Sequence, residues 1–84
     1  MKVYYFTFRS VTFAQRGEQI LQRSGVRAAL LRTPKWMEQR GCGYCLRVRP
    51  EDALRALELL KRGSAPYSKL FAQTAMGTVE ELSV

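Results

Sequence analysis

The chain predicts an α+β fold, a four-stranded antiparallel sheet with two helices packed on one of its faces. Three observations predict it. Four stretches rich in β-branched and aromatic residues are separated by segments, two of which carry apolar residues at helical spacing. Each helical segment ends at a glycine, Gly25 or Gly63. At 84 residues the chain is one domain with a thin core, so two helices sharing one sheet face is the economical way to bury both apolar stripes.

Lys2–Phe8 reads as the first strand. Tyr4, Phe6 and Phe8 fall on one face, with Val3, Tyr5 and Thr7 on the other. The first set is the more apolar and is expected to face the helices. Ser10 or Thr12 caps a helix running to about Ser24. Within it Phe13, Ala14, Gly17, Ile20 and Leu21 recur at helical spacing, while Gln15, Arg16, Gln19 and Arg23 stay outside. Val26–Arg32 is the second strand, ended by Thr33-Pro34. Residues 34–41 show no clear period and read as a loop or a single helical turn.

Gly43–Arg49 alternates, with Tyr44, Leu46 and Val48 on one side and Cys45, Arg47 and Arg49 on the other, and is the third strand. Pro50-Glu51-Asp52 opens the second helix, with proline near its first position and two carboxylates where the helix dipole favours them. Its apolar stripe is Ala53, Leu54, Leu57 and Leu60, and Lys61-Arg62-Gly63 closes it. Tyr67–Ala72 is the fourth strand. Little structure is expected after Thr74 beyond one turn at 79–82, so the domain is read as residues 1–73 followed by a tail, 74–84. The order β-α-β-β-α-β is the ferredoxin-like one, in which the first and third strands are central neighbours.

The formal net charge is +7 and unevenly spread. Through Pro50 there are ten Lys/Arg against Glu18 and Glu38; from Glu51 onward there are four basic and five acidic residues. A positive field in the first half attracts anions without choosing among nucleic acid, phosphorylated small molecules and acidic proteins. No apolar run approaches the roughly 20 residues that span a bilayer. Met1-Lys2 leads straight into Val3–Phe8 with no apolar signal region, so a cytoplasmic location and no membrane are expected.

The chain has no histidine and two cysteines, set three apart in Cys42-Gly43-Tyr44-Cys45. A thiolate is the nucleophilic form of cysteine, and nearby cations and backbone N–H groups favour it. Cys42 lies between Gly41 and Gly43, which impose no side-chain wall and can turn N–H groups toward the sulfur. Lys35, Arg40 and Arg47 bring positive charge close in sequence, with Arg49 beyond. That setting suits an anionic persulfide or perselenide, and it equally suits an ordinary loop thiol. Cys45 is either a functional second thiol or a small side chain on the sheet face it shares with Arg47 and Arg49. A disulfide between the two requires a turn at Gly43-Tyr44, because an extended chain spaces residues three apart by roughly 10 Å. Strand-like residues after the pair argue against a thioredoxin-type centre, which places its first cysteine at a helix N-terminus.

Two thiols and no imidazole cannot complete a four-ligand zinc site in one chain, though a dimer could assemble four thiolates. No metal and no cofactor is expected. Arg47 and Arg49 could hold phosphate, and Tyr5 on the same open face could stack a base, as aromatics do in RNA-recognition domains of this topology. The third strand lacks the paired aromatics of that signature, which makes nucleic acid the weaker expectation for a partner.

The chain resembles a family of small bacterial selenium/sulfur carrier-like proteins. The resemblance rests on an ordered set of short motifs: Phe8-Arg9-Ser10, Gly25, Thr33-Pro34, Cys42-Gly43-Tyr44-Cys45-Leu46-Arg47 and Pro50-Glu51-Asp52. It runs from about Lys2 to Ala72. It implies a carrier that holds sulfur or selenium on Cys42. Cys45 stands where the family shows a small residue such as Ala or Ser, and Trp36-Met37-Glu38-Gln39 replaces a short Ser-rich approach, so a resolving role for the second thiol stays open.

The expectation is therefore a relay of a persulfide or perselenide on Cys42, a carrier more than a stand-alone enzyme. Arg40, Gly41, Gly43, Arg47 and Arg49 would stabilise the anion, with Cys45 as the second candidate reactive residue. A donor such as a cysteine desulfurase would load it and an acceptor enzyme would unload it. The alternatives are a dithiol redox module using Cys42 and Cys45, and a non-catalytic basic module binding nucleic acid or a partner protein. An exposed edge strand in so small a sheet leaves room for a homodimer.

Overall fold

The computed structural model describes residues 2–33, 43–63, 65 and 67–82. The elements run β1 (Lys2–Phe8), α1 (Val11–Arg23), β2 (Ala28–Arg32), β3 (Tyr44–Val48), a single 3-10 turn at Pro50–Asp52, α2 (Ala53–Arg62), β4 (Lys69–Thr74) and β5 (Val79–Leu82). The strands form one antiparallel sheet in the order β2-β3-β1-β4-β5. The expected α+β class with two helices and an antiparallel sheet is what the chain adopts, and β1 and β3 are neighbours. The strand count differs: the sheet has five strands, not four. The extra one, Val79–Leu82, lies in the stretch read from sequence as a weakly structured tail with at most one turn.

Local chemistry explains the boundaries. Ser10 is extended and caps α1, its Oγ accepting the backbone N–H of Phe13 at 3.3 Å. Gly25 sits at φ 78°, the left-handed conformation that ends a helix with least strain in glycine. The segment Val26–Arg27 is not yet strand; β2 begins at Ala28. Pro50 begins the 3-10 turn that leads into α2, with Glu51 and Asp52 in its first turn.

One core lies between the helices and the sheet. Phe6, Phe8, Leu46 and Val48 come from β1 and β3, Ala14 and Leu21 from α1, Ala56 and Leu60 from α2, and all are at most 1 % exposed. The expected inward set on β1 is the inward set, with Tyr4 packed at the margin. Gly17 lets α1 approach the sheet: a Cβ there would meet Leu46 Cδ1, Leu60 Cδ2 and Phe8 Cζ, each at 3.1 Å. The helix stripes differ in detail from expectation. Leu54 is 78 % exposed and Phe13 43 %. Ala56 takes the buried place on α2, one turn from both Ala53 and Leu60.

Candidate functional site: the cysteine strand

β3 lies between β1 and β2, so Cys45 has a neighbour on each side: Thr7 across from it on β1 and Leu31 on β2. Alternation along the strand puts Cys45 on the face opposite the helices. That face is not bare. Tyr5, Cys45 and Phe71 form a second apolar cluster, with Val3, Leu31 and Val79 packed around it. The Cys45 side chain is fully buried, and its thiol is free.

Burial pushes the Cys45 thiol above its ordinary pKa of 9.0, because a thiolate there would lose its hydration. The Thr33 hydroxyl and the Arg47 charge pull the other way and do not overcome it. Thr33 Oγ1 is itself buried with no hydrogen bond of ordinary geometry, so its hold on the sulfur is a loose polar contact. Thr7, the other buried polar group on this face, is satisfied: its hydroxyl accepts from Lys69 N at 3.0 Å and donates to Lys69 O at 3.4 Å. Tyr5 Oη donates to Gln73 Oε1 at 3.1 Å, which holds its ring on the same face.

Gly43 ends the described stretch that approaches β3. Its carbonyl accepts from Thr33 N at 3.1 Å, continuing the β2–β3 pairing one step beyond both strands. Its φ of 155° and the room around it require glycine: a Cβ would stand 3.0 Å from the Phe8 carbonyl oxygen, a backbone atom that cannot step aside. The glycine after Cys42 thus has a demonstrable backbone reason, whatever else its N–H does.

Of the sequence-predicted site residues, Gly43, Cys45, Arg47 and Arg49 are placed along this strand. Cys45 and Arg47 share a face, Arg47 being exposed. Arg49 is exposed and stands 4.0 Å from Glu51, a surface pair of little strength. Cys42, Arg40 and Gly41 lie outside the described residues, as do Lys35 and Trp36. Sequence reasoning missed Thr33, Thr7 and Phe71 as the surroundings of Cys45. Register alone assigns Thr7 and Leu31 to it, and register cannot be read from one strand. Among the described residues no cluster of three or more His, Cys, Asp or Glu could hold a metal ion, and no helix is long and apolar enough to cross a membrane.

No curated protein and no solved structure matches the chain. A family profile does. The described residues of the motifs that carried the resemblance fall on the end of β1 and the turn after it, the end of α1, the end of β2, β3 and the 3-10 turn before α2, and the match takes in all of these motifs. Residues 3–72, from β1 into β4, match the family described as "Putative Se/S carrier protein-like", and the chain belongs to that family.

Proposed function

We propose that the protein is a sulfur or selenium carrier whose loaded atom rides on Cys42. The observation that carries the reading is the state of the other thiol. Cys45 is fully buried, and its burial holds it in the neutral form, which leaves Cys42 as the thiol for the group transfer that the family description names. The strand order β2-β3-β1-β4, with β5 added at one edge, supports the ferredoxin-like plan.

In the loading step the Cys42 thiolate attacks the outer sulfur of a donor's persulfide, such as that of a cysteine desulfurase. A new S–S bond forms at Cys42, the donor's S–S bond breaks, and the donor leaves as its thiolate. Sulfur moves at the oxidation level of S⁰, so neither an oxidant nor a reductant is consumed. Arg40 and the backbone at Gly41 and Gly43 stabilise the persulfide anion, and Arg47 and Arg49 add to the positive field. An acceptor enzyme's nucleophile then takes the outer atom and returns Cys42 to its thiolate. The work is done in the cytoplasm.

The test is intact-mass spectrometry after incubation with a cysteine desulfurase and cysteine. The wild type gains the mass of one sulfur atom, Cys42→Ser does not, and Cys45→Ala still does. A chain that stays unloaded, or one loaded on Cys45, overturns the reading. Formation of a Cys42–Cys45 disulfide, seen as loss of both titratable thiols on mild oxidation, would favour the redox alternative. The extended strand that begins at Tyr44 speaks against that outcome, because Tyr44 is one of the two residues at which the disulfide requires a turn.

A further inference from the structure

A cleft of about 470 Å³ opens beside the ends of β1 and β4. Arg9, Phe13, Tyr67, Ser68 and Lys69 line it. Its size falls in the range of small-molecule sites, and its chemistry is mixed in a specific way: two cations, a serine hydroxyl and two aromatic rings, with no carboxylate among the described lining residues.

The elements that build it are fixed. β1 and β4 are locked here by Ser68 N donating to Thr7 O at 2.7 Å and by both Thr7–Lys69 bonds. Tyr67 packs edge-on against the fully buried Phe6, with ring centroids 5.3 Å apart at 81°. Phe13, in the first turn of α1, is 43 % exposed, whereas Ala14 and Leu21 of the same helix are fully buried. Arg9 makes no ion pair among the described residues. Lys69 is 3.9 Å from Glu81, but both side chains are about half exposed, so a ligand anion can compete for it.

We propose that this cleft binds a nucleoside monophosphate, its phosphate between Arg9, Lys69 and the Ser68 hydroxyl and its base against the Phe13 and Tyr67 rings. Guanidinium and ammonium groups together suit a phosphate dianion. Flat rings accept any base, since every base has a π-face. A bare phosphate would leave the aromatic half of the cleft unused, and an apolar ligand would leave two cations unmatched. The cleft sits at the end of the sheet where β3 begins, for Phe8, just before Arg9, pairs with Tyr44, the first residue of β3. A bound nucleotide would therefore lie near the chain that leads from Cys42, yet the site stands on the cleft alone and not on the carrier reading.

Titration of AMP into the full chain, followed by calorimetry and by amide NMR, tests it, with adenosine and inorganic phosphate as half-ligands. Saturable binding of AMP is expected, with shifts centred on Arg9, Phe13 and Ser68. Phe13→Ala should weaken it about fivefold or more, and Arg9→Gln about tenfold. Both residues are exposed, and circular dichroism checks that the variants fold. Arg55→Gln, exposed on α2 and outside the cleft lining, should bind as the wild type does. Adenosine and phosphate should each bind about tenfold more weakly than AMP. Absence of saturable AMP binding overturns the proposal. So does phosphate binding as well as AMP, or AMP binding that ignores both Arg9→Gln and Phe13→Ala.

Discussion

The two faces of one sheet have been finished to different standards. On the helix side, Phe6, Phe8, Leu46 and Val48 meet side chains from α1 and α2 and are essentially sealed. On the other side, the alternate residues of the same strands build only a small cluster, Tyr5, Cys45 and Phe71, edged by Thr7, Gln73 and exposed Arg47. The first face is made of large aliphatic and aromatic groups. The second mixes one thiol and polar handles into a modest apolar patch. The lesson is that stability belongs to the helix-covered face, and that Cys45 takes its burial from the lesser core.

The comparison breaks most sharply with paired truncations. Phe6→Ala should cost about 3–5 kcal/mol in urea unfolding, enough to threaten a domain this small. Phe71→Ala, on the lesser core and still 7 % exposed, should cost clearly less. Equal losses would mean the faces are equivalent. Next in size, Gly43→Ala should cost about 1–3 kcal/mol, because the new Cβ meets the Phe8 carbonyl at a positive φ. Hydrogen exchange should then show the damage concentrated at the β1–β3 and β2–β3 junctions.

A subtler test uses pH. The buried Cys45 thiol has a raised pKa in the folded state, so above pH 9.0 the unfolded chain releases its proton first. The stability that the neutral thiol contributes is whole below pH 9.0 and is lost as pH climbs toward the folded value. The slope for one group is at most about 1.4 kcal/mol per pH unit. Cys45→Ala should flatten that part of the curve, measured below pH 10.0, where Tyr67 (also raised by burial) starts to contribute. An unchanged slope would mean that Cys45 is not sealed. The smallest effect is expected from Glu81→Gln. The exposed Lys69–Glu81 pair should be worth well under about 1 kcal/mol, and the melting temperature should barely move.

Much of this was readable beforehand, and the misses have physical causes. Alternation in Lys2–Phe8 and Gly43–Arg49 assigned both faces correctly, because a strand buried against helices carries its apolar residues every second position. Gly25 was readable because only one conformation ends α1 there. β5 was not readable. Val79 packs on the lesser core and Leu82 on the main one, so the strand spends one apolar residue on each face. Two apolar residues three apart, with Glu80 and Glu81 between, look like a helical turn. Phe13 and Leu54 fit a helical stripe in spacing but lie beyond what the sheet can cover. For the site, the Gly-Cys-Gly setting of Cys42 could be seen, while the burial of Cys45 depends on Thr7, Leu31 and Phe71, which come from three other strands.

The fifth strand also changes what the sheet presents at its rim. Without it β4, with Leu70, Phe71 and Ala72 in a row, would be the outermost ribbon and an inviting template for another chain. β5 occupies that position instead and offers Glu80 and Glu81, both exposed, as the last backbone step. Charged residues on a short terminal strand discourage sheet-to-sheet growth. In a molecule of net charge +7 they also plant a small negative border on that side, so end-on stacking of copies through β5 sets carboxylates against carboxylates.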